Sequence, residues 1–140
     1  MDARLAVIGV AVLGLGYLVW HRHAANVEAA ALAALTDENG FIALAQPAGI
    51  TPDKVFIFAP ANCPREAGRR SDALTQSLAD RGVAYSRSAH LAYEPMDQVM
   101  LDRVNAVIAG DNAPIVFVNG RIKANPTLEE VLAEYETTQR

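Results

Sequence analysis

The sequence predicts an α/β domain preceded by an N-terminal transmembrane helix. Three observations carry this reading. Leu5 to Trp20 reads LAVIGVAVLGLGYLVW, an uninterrupted run without a charged residue. From Lys54 onward, short apolar runs alternate with segments of helical periodicity. Between Ile115-Val116-Phe117-Val118 and Arg121-Ile122-Lys123 stands Asn119-Gly120, a hairpin signal because this dipeptide accepts the positive φ values of a type I′ turn.

Composition narrows the function classes. A chain of 140 residues has room for one full-sized domain. Twelve Lys+Arg against sixteen Asp+Glu give a net charge of −4, and the longest basic run is Arg69-Arg70, so a nucleic-acid partner held by phosphate neutralisation is disfavoured. Hydrophobic content of 51% with 20% charged residues excludes wholesale disorder. Cys63 is the single cysteine, which excludes a disulfide within the chain and a multi-cysteine zinc site. His21, His23 and His90 show no HxxxH or HExxH spacing, and neither a metal nor another cofactor is expected.

The apolar run spans roughly 24 Å as a helix, a little short of a hydrocarbon core of about 30 Å. It therefore reads as a thin anchor, the h-region of a cleaved signal peptide, or a buried core helix. The flanks favour the anchor. Trp20 is followed by His21-Arg22-His23 rather than by small residues suited to cleavage, and Tyr17 and Trp20 suit a membrane interface. Arg4 and Arg22 balance each other across the run, and the preferred arrangement keeps the short N-terminus inside and the domain outside the cytoplasm, on the periplasmic side of a bacterial inner membrane. The expected organisation is an anchor over 1–23, a helical stalk and connector over 24–53, and the α/β domain over 54–140.

Ala-rich residues 24–35 extend the helix as a stalk, and Thr36-Asp37-Glu38-Asn39-Gly40 stops it. Pro47, Gly49 and Pro52 keep the connector extended or turned. Val55-Phe56-Ile57-Phe58 is the continuous apolar run of a strand buried on both faces. Pro64 suits the first turn of a helix over 64–81, with Ala67, Ser71, Leu74 and Leu78 as its stripe and Gly82 as its end. Val83 to Ser86 reads as a strand. Met96, Val99, Met100, Val104, Val107 and Ile108 follow helical spacing over 95–109, closed by Gly110. After the hairpin, Asn125 as N-cap and Pro126 at the first helical position open a helix with Leu128, Val131, Leu132 and Tyr135 on one face. The stripes are read as core. The order is β-α-β-α-β-β-α.

An apolar strand running into Cys-Pro at a helix start (VFIFAPANCPRE), then some fifty residues later Ala-Pro, an Asn-Gly hairpin and a C-terminal helix (NAPIVFVNGRIKANPTLEEVLAEY), resembles the thioredoxin-like superfamily, and glutaredoxins in size and order. The resemblance covers roughly 54–135 and rests on the order and spacing of motifs that are individually common. It implies a mixed β-sheet flanked by helices, with Cys63 as the site nucleophile and Pro114 as the cis proline beside it. Two departures matter. Dithiol members carry Cys-x-x-Cys, whereas this chain reads Cys63-Pro64-Arg65-Glu66. Glutathione-using members carry a Gly-Gly turn and an Asp after the fourth strand, where this chain has Lys123-Ala124-Asn125-Pro126-Thr127, so glutathione is disfavoured as a partner.

At a helix N-terminus the Cys63 thiolate would be stabilised by unpaired N–H groups, with Arg65, Arg69 or Arg70 adding positive charge and Glu66, at i+3, opposing them. Two functions follow from the resemblance. One is a monothiol thiol-disulfide oxidoreductase acting on a protein thiol or disulfide, its mixed disulfide resolved by an external thiol. The other is a redox-silent module using the Cys63 and Pro114 groove to hold a partner in a membrane-associated complex. An interchain disulfide through Cys63 is a third use of a lone exposed thiol.

Overall fold

The computed structural model describes residues 17, 19–24, 26, 27, 29–44, 48–51, 53–60, 64–92, 97–109 and 112–137. The chain divides into two units, Met1–Leu35 and Thr36–Arg140. In the first, residues 17, 19–24, 26, 27 and 29–34 are helical (α1). Tyr17 and His21, one turn apart, meet edge to face, with the His21 Nε2 2.8 Å from the Tyr17 hydroxyl, and Tyr17, Val19 and Trp20 are each more than 60% exposed. No helix among the described residues is long and apolar enough to cross a membrane. Most of the apolar run on which the anchor reading rests, residues 5–16 and 18, lies outside the described residues.

The second unit is mixed α/β. Its strands are β1 (Ile42–Ala43), β2 (Val55–Phe58), β3 (Tyr85–Ser88), β4 (Ile115–Val118) and β5 (Arg121–Ala124), and its helices are α2 (Glu66–Asp80), α3 (Gln98–Ile108) and α4 (Leu128–Thr137). They form one five-stranded sheet in the order β1-β5-β4-β2-β3. β2 and β3 are parallel, joined across α2, while β4 runs antiparallel to both β2 and β5, and β1 antiparallel to β5.

Period-two alternation in the central strands sorts the core into two layers. Val55 and Ile57 of β2 and Val116 and Val118 of β4 face Leu74 and Leu78 of α2 and Val131 of α4. Phe56 of β2, with Ile115 and Phe117 of β4, faces the other way onto Val104 of α3. Phe56 and Phe117 are register partners, and their rings meet edge to face at 5.9 Å. The Asn119-Gly120 turn has φ of 54° and 72°, the left-handed pair that the hairpin reading required.

Four details depart from the sequence expectations. Residues 36–44, assigned to the connector, belong to the domain unit, with Phe41 fully buried in the α2/α4 layer and β1 paired to β5. The helix expected from Pro64 begins at Glu66, because Arg65 keeps extended angles (φ −71°, ψ 164°). The second strand of the expected order starts at Tyr85 rather than Val83. Gly82 (φ 69°) and Val83 are used to close α2, their N–H groups donating to Ala79 O and Leu78 O at 3.0 Å each, a Schellman motif. Thr127, not Asn125, caps α4: its N–H donates to Glu130 Oε2 (2.8 Å) and its hydroxyl accepts from the Glu130 N–H (3.3 Å), a capping box that the Thr127-Leu128-Glu129-Glu130 spacing encodes.

Candidate functional site

Pro114 immediately precedes β4, whose first residue Ile115 pairs with Phe58, the last residue of β2. The Ala113–Pro114 peptide is cis, and Pro114 is fully buried. Its carbonyl accepts the backbone N–H of Asn125 at 2.7 Å, a residue whose left-handed backbone is not that of an N-cap. With φ of 47° it turns the chain from β5 back towards Pro114.

From the other side α2 reaches the same loop. The Nε and Nη2 of Arg70 both donate to the Ala113 carbonyl, at 3.2 and 3.1 Å. The third guanidinium nitrogen, Nη1, lies 3.3 Å from Glu66 Oε1, one helical turn earlier. Glu66, Arg70 and the Ala113 carbonyl thus form a continuous link from the first turn of α2 to the proline loop. Glu66 is 74% exposed along its side chain, so the ion pair is worth no more than about 1 kcal/mol; the forked guanidinium-to-carbonyl contact does more to fix the loop.

Beneath this link lies a cleft of about 280 Å³ whose walls include Arg70, Ala73, Leu74, Pro114, Pro126 and Leu128. Apart from the side chains of Arg70, Ser77 and Asn125, the walls are apolar.

Of the two sequence-derived site residues, the structure describes Pro114, and Cys63 lies outside the described residues. Flanking residues revise what was expected around the thiol. Pro64 and Arg65 are not helical, and α2 starts at Glu66. Arg69 donates to the Pro64 carbonyl at 3.1 Å, and Arg70 is engaged by Ala113 and Glu66, so two of the three arginines expected to face a thiolate have backbone partners. Arg65 makes no side-chain cap to α2. No group of three or more His, Cys, Asp or Glu among the described residues is placed to hold a metal ion.

The role of Arg70 was not legible as such. Its i+4 spacing from Glu66 is visible in the sequence, but the carbonyl it holds is 43 residues away. No protein-family model, curated protein or solved structure matches the chain.

Proposed function

We propose that the protein is a thioredoxin-like thiol-disulfide oxidoreductase of monothiol type, tethered to a membrane by the apolar segment 5–20, with its domain on the extracytoplasmic side. Cys63 is the nucleophile, and Pro114 presents the backbone of a protein thiol or disulfide. The observation that carries the reading is the convergence of β2 and α2 on Pro114. The segment bearing Cys63 leaves the sheet at Phe58, which pairs with Ile115, and rejoins the helix whose Arg70 holds Ala113. Both ends of that segment therefore flank the proline. The strand order β5-β4-β2-β3, with one parallel and two antiparallel pairings, supports the thioredoxin-like reading.

In the reaction, the Cys63 thiolate attacks one sulfur of a partner disulfide. A new S–S bond forms as the old one breaks, and the displaced sulfur leaves as a thiolate that takes up a proton. An external thiol then attacks the mixed disulfide and returns Cys63 as a thiolate.

The Glu66–Arg70–Ala113 link favours a second reading, a redox-silent module that holds a partner in the cleft. A carboxylate stands where a dithiol enzyme has its second sulfur, and a guanidinium occupies the carbonyl beside Pro114. Alkylation of the full-length protein in detergent across a pH series separates the two. The oxidoreductase requires a Cys63 thiol that titrates below the ordinary value of about 8.5, and a mixed disulfide with a model peptide disulfide that Cys63→Ser abolishes. An ordinary or raised titration with no adduct establishes the silent module instead.

A further inference from the structure

The β5 side of the sheet holds a second polar centre that the Pro114 site does not use. Alternation along β5 turns Ile122 into the α3 layer and leaves Arg121 and Lys123 on the side of α4, where they meet Glu134 and Glu130, one helical turn apart. Glu134 is 3% exposed. Its Oε1 lies 3.4 Å from Arg121 Nε, and its Oε2 accepts from Asn39 Nδ2 at 3.5 Å. Asp37 Oδ2 accepts from Arg121 Nη1 at 2.9 Å, while its Oδ1 accepts the N–H groups of Asn39 and Phe41 at 2.9 and 2.8 Å. Gly40, at φ 78°, allows the chain to close that turn.

One guanidinium therefore serves two carboxyl groups, one of them buried. The other charged groups facing this centre are accounted for. Lys123 is committed to Glu130 (2.8 Å) and the Asn39 carbonyl (2.7 Å), and Glu38 is exposed where it lines an adjoining cleft of about 250 Å³. Full ionisation would leave an uncompensated negative charge beside a buried carboxylate, which is costly. Burial pushes Glu134 up from its ordinary value, and the bond to Asp37 and that group's charge add to it, against opposition from Asn39 and Arg121. Burial also pushes Asp37 up, but the Phe41 and Asn39 N–H bonds, Glu134 and Arg121 prevail and bring it below its ordinary value. Of the two carboxyls, Glu134 is therefore the one that holds a proton more readily and Asp37 the one that ionises first.

We propose that the Asp37–Glu134 pair is a proton-operated latch that clamps residues 36–44, including β1, onto the outer edge of β5 and loosens when Glu134 ionises. β1 has only two residues, paired as Ile42 with Ile122 and Ala43 with Arg121, so the ladder alone does little to hold the segment and the latch adds to the burial of Phe41 and Leu44. Glu134, raised in the folded state, binds more protons folded than unfolded above its ordinary 4.5, so the clamp weakens as pH rises from there through the folded value. Asp37, lowered, acts oppositely: its contribution is present above its ordinary 3.8 and is lost as pH falls through the folded value. The latch is tightest in mild acid.

Amide hydrogen exchange of the full-length protein in detergent tests this. The Phe41 and Leu44 amides are read at pH 5 and pH 8, corrected for intrinsic rates and normalised to Leu78 in α2. Their relative protection is expected to fall by about threefold or more between the two pH values, and Glu134→Gln is expected to remove that fall. Unchanged protection in the wild type, or the same fall in Glu134→Gln, overturns the proposal. Should the variant not fold, the wild type decides: the fall in Phe41 and Leu44 protection is expected to follow the carbon-13 titration of the Glu134 carboxyl, and protection that does not follow it overturns the latch.

Discussion

The two faces of the sheet are covered unequally. On one, α2 contributes five buried residues, Ala67, Gly68, Ser71, Leu74 and Leu78, and α4 adds Val131 and Glu134. On the other, α3 contributes only Val104. Met100, Val107 and Ile108 are partly buried against that layer, and Val99 and Leu101 are 58% and 37% exposed. Both helices have apolar stripes in sequence, so hydrophobic periodicity alone does not set how much area is removed from water. Close contact with Val55, Ile57, Val116 and Val118 makes the α2/α4 face the rigid one, and it is this face that carries Arg70, Pro114 and the cleft. α3, with one buried residue, is expected to open locally more easily than α2.

The largest effect that sharpens this contrast is expected from Leu78→Ala. Leu78 is fully buried between α2 and the central strands, and its truncation is expected to cost about 3 kcal/mol in denaturant unfolding. Val104→Ala, the corresponding change on α3, removes two methyl groups from the only buried position of that helix and is expected to cost about 1.5 kcal/mol. Its effect should appear first as faster amide exchange confined to α3. Equal losses, or uniform exchange across α2 and α3 in the wild-type protein, would break the comparison.

The smallest effects come from the helix starts. The Asp97 side chain accepts the Met100 N–H at 2.8 Å and Thr127 pairs reciprocally with Glu130, so Asp97→Ala and Thr127→Ala are each expected to cost about 1 kcal/mol. Asp97→Ala should open α3 locally, whereas Thr127→Ala should act on global unfolding, because α4 is locked into the better-packed face. The Lys123 contact and the Thr127 N–H hold Glu130 below its ordinary 4.5. Its contribution is present above that value and fades as pH falls through the folded one, so stability should decline in acid, and Glu130→Gln should reduce that decline.

How much of this was legible differs residue by residue. β2, β4 and the hairpin announce themselves because a strand buried on both faces must be continuously apolar and a type I′ turn needs residues that tolerate positive φ. The α4 stripe of Leu128, Val131, Leu132 and Tyr135 packs as its spacing predicts. The Thr127 capping box was written in the sequence but was overshadowed by Asn125-Pro126, a valid start signal whose asparagine is instead recruited by the Pro114 carbonyl. Val83 is a good strand former, yet it closes α2, its N–H committed to the Leu78 carbonyl in the Schellman motif.

The sequence by itself determined the α/β order, the central strands and the turn, because these rest on interactions within a few residues of one another. Only the tertiary structure decided that residues 36–44 join the sheet, that Arg70 holds the Ala113 carbonyl, and that Asp37 meets Glu134 and Arg121. Asp37 and Arg121 are 84 residues apart in sequence. A two-residue strand and a lone aspartate carry no periodic signal. Their positions become defined only when the apolar layers are packed and the polar groups left at the β5 edge must find partners among whatever the fold has brought within reach.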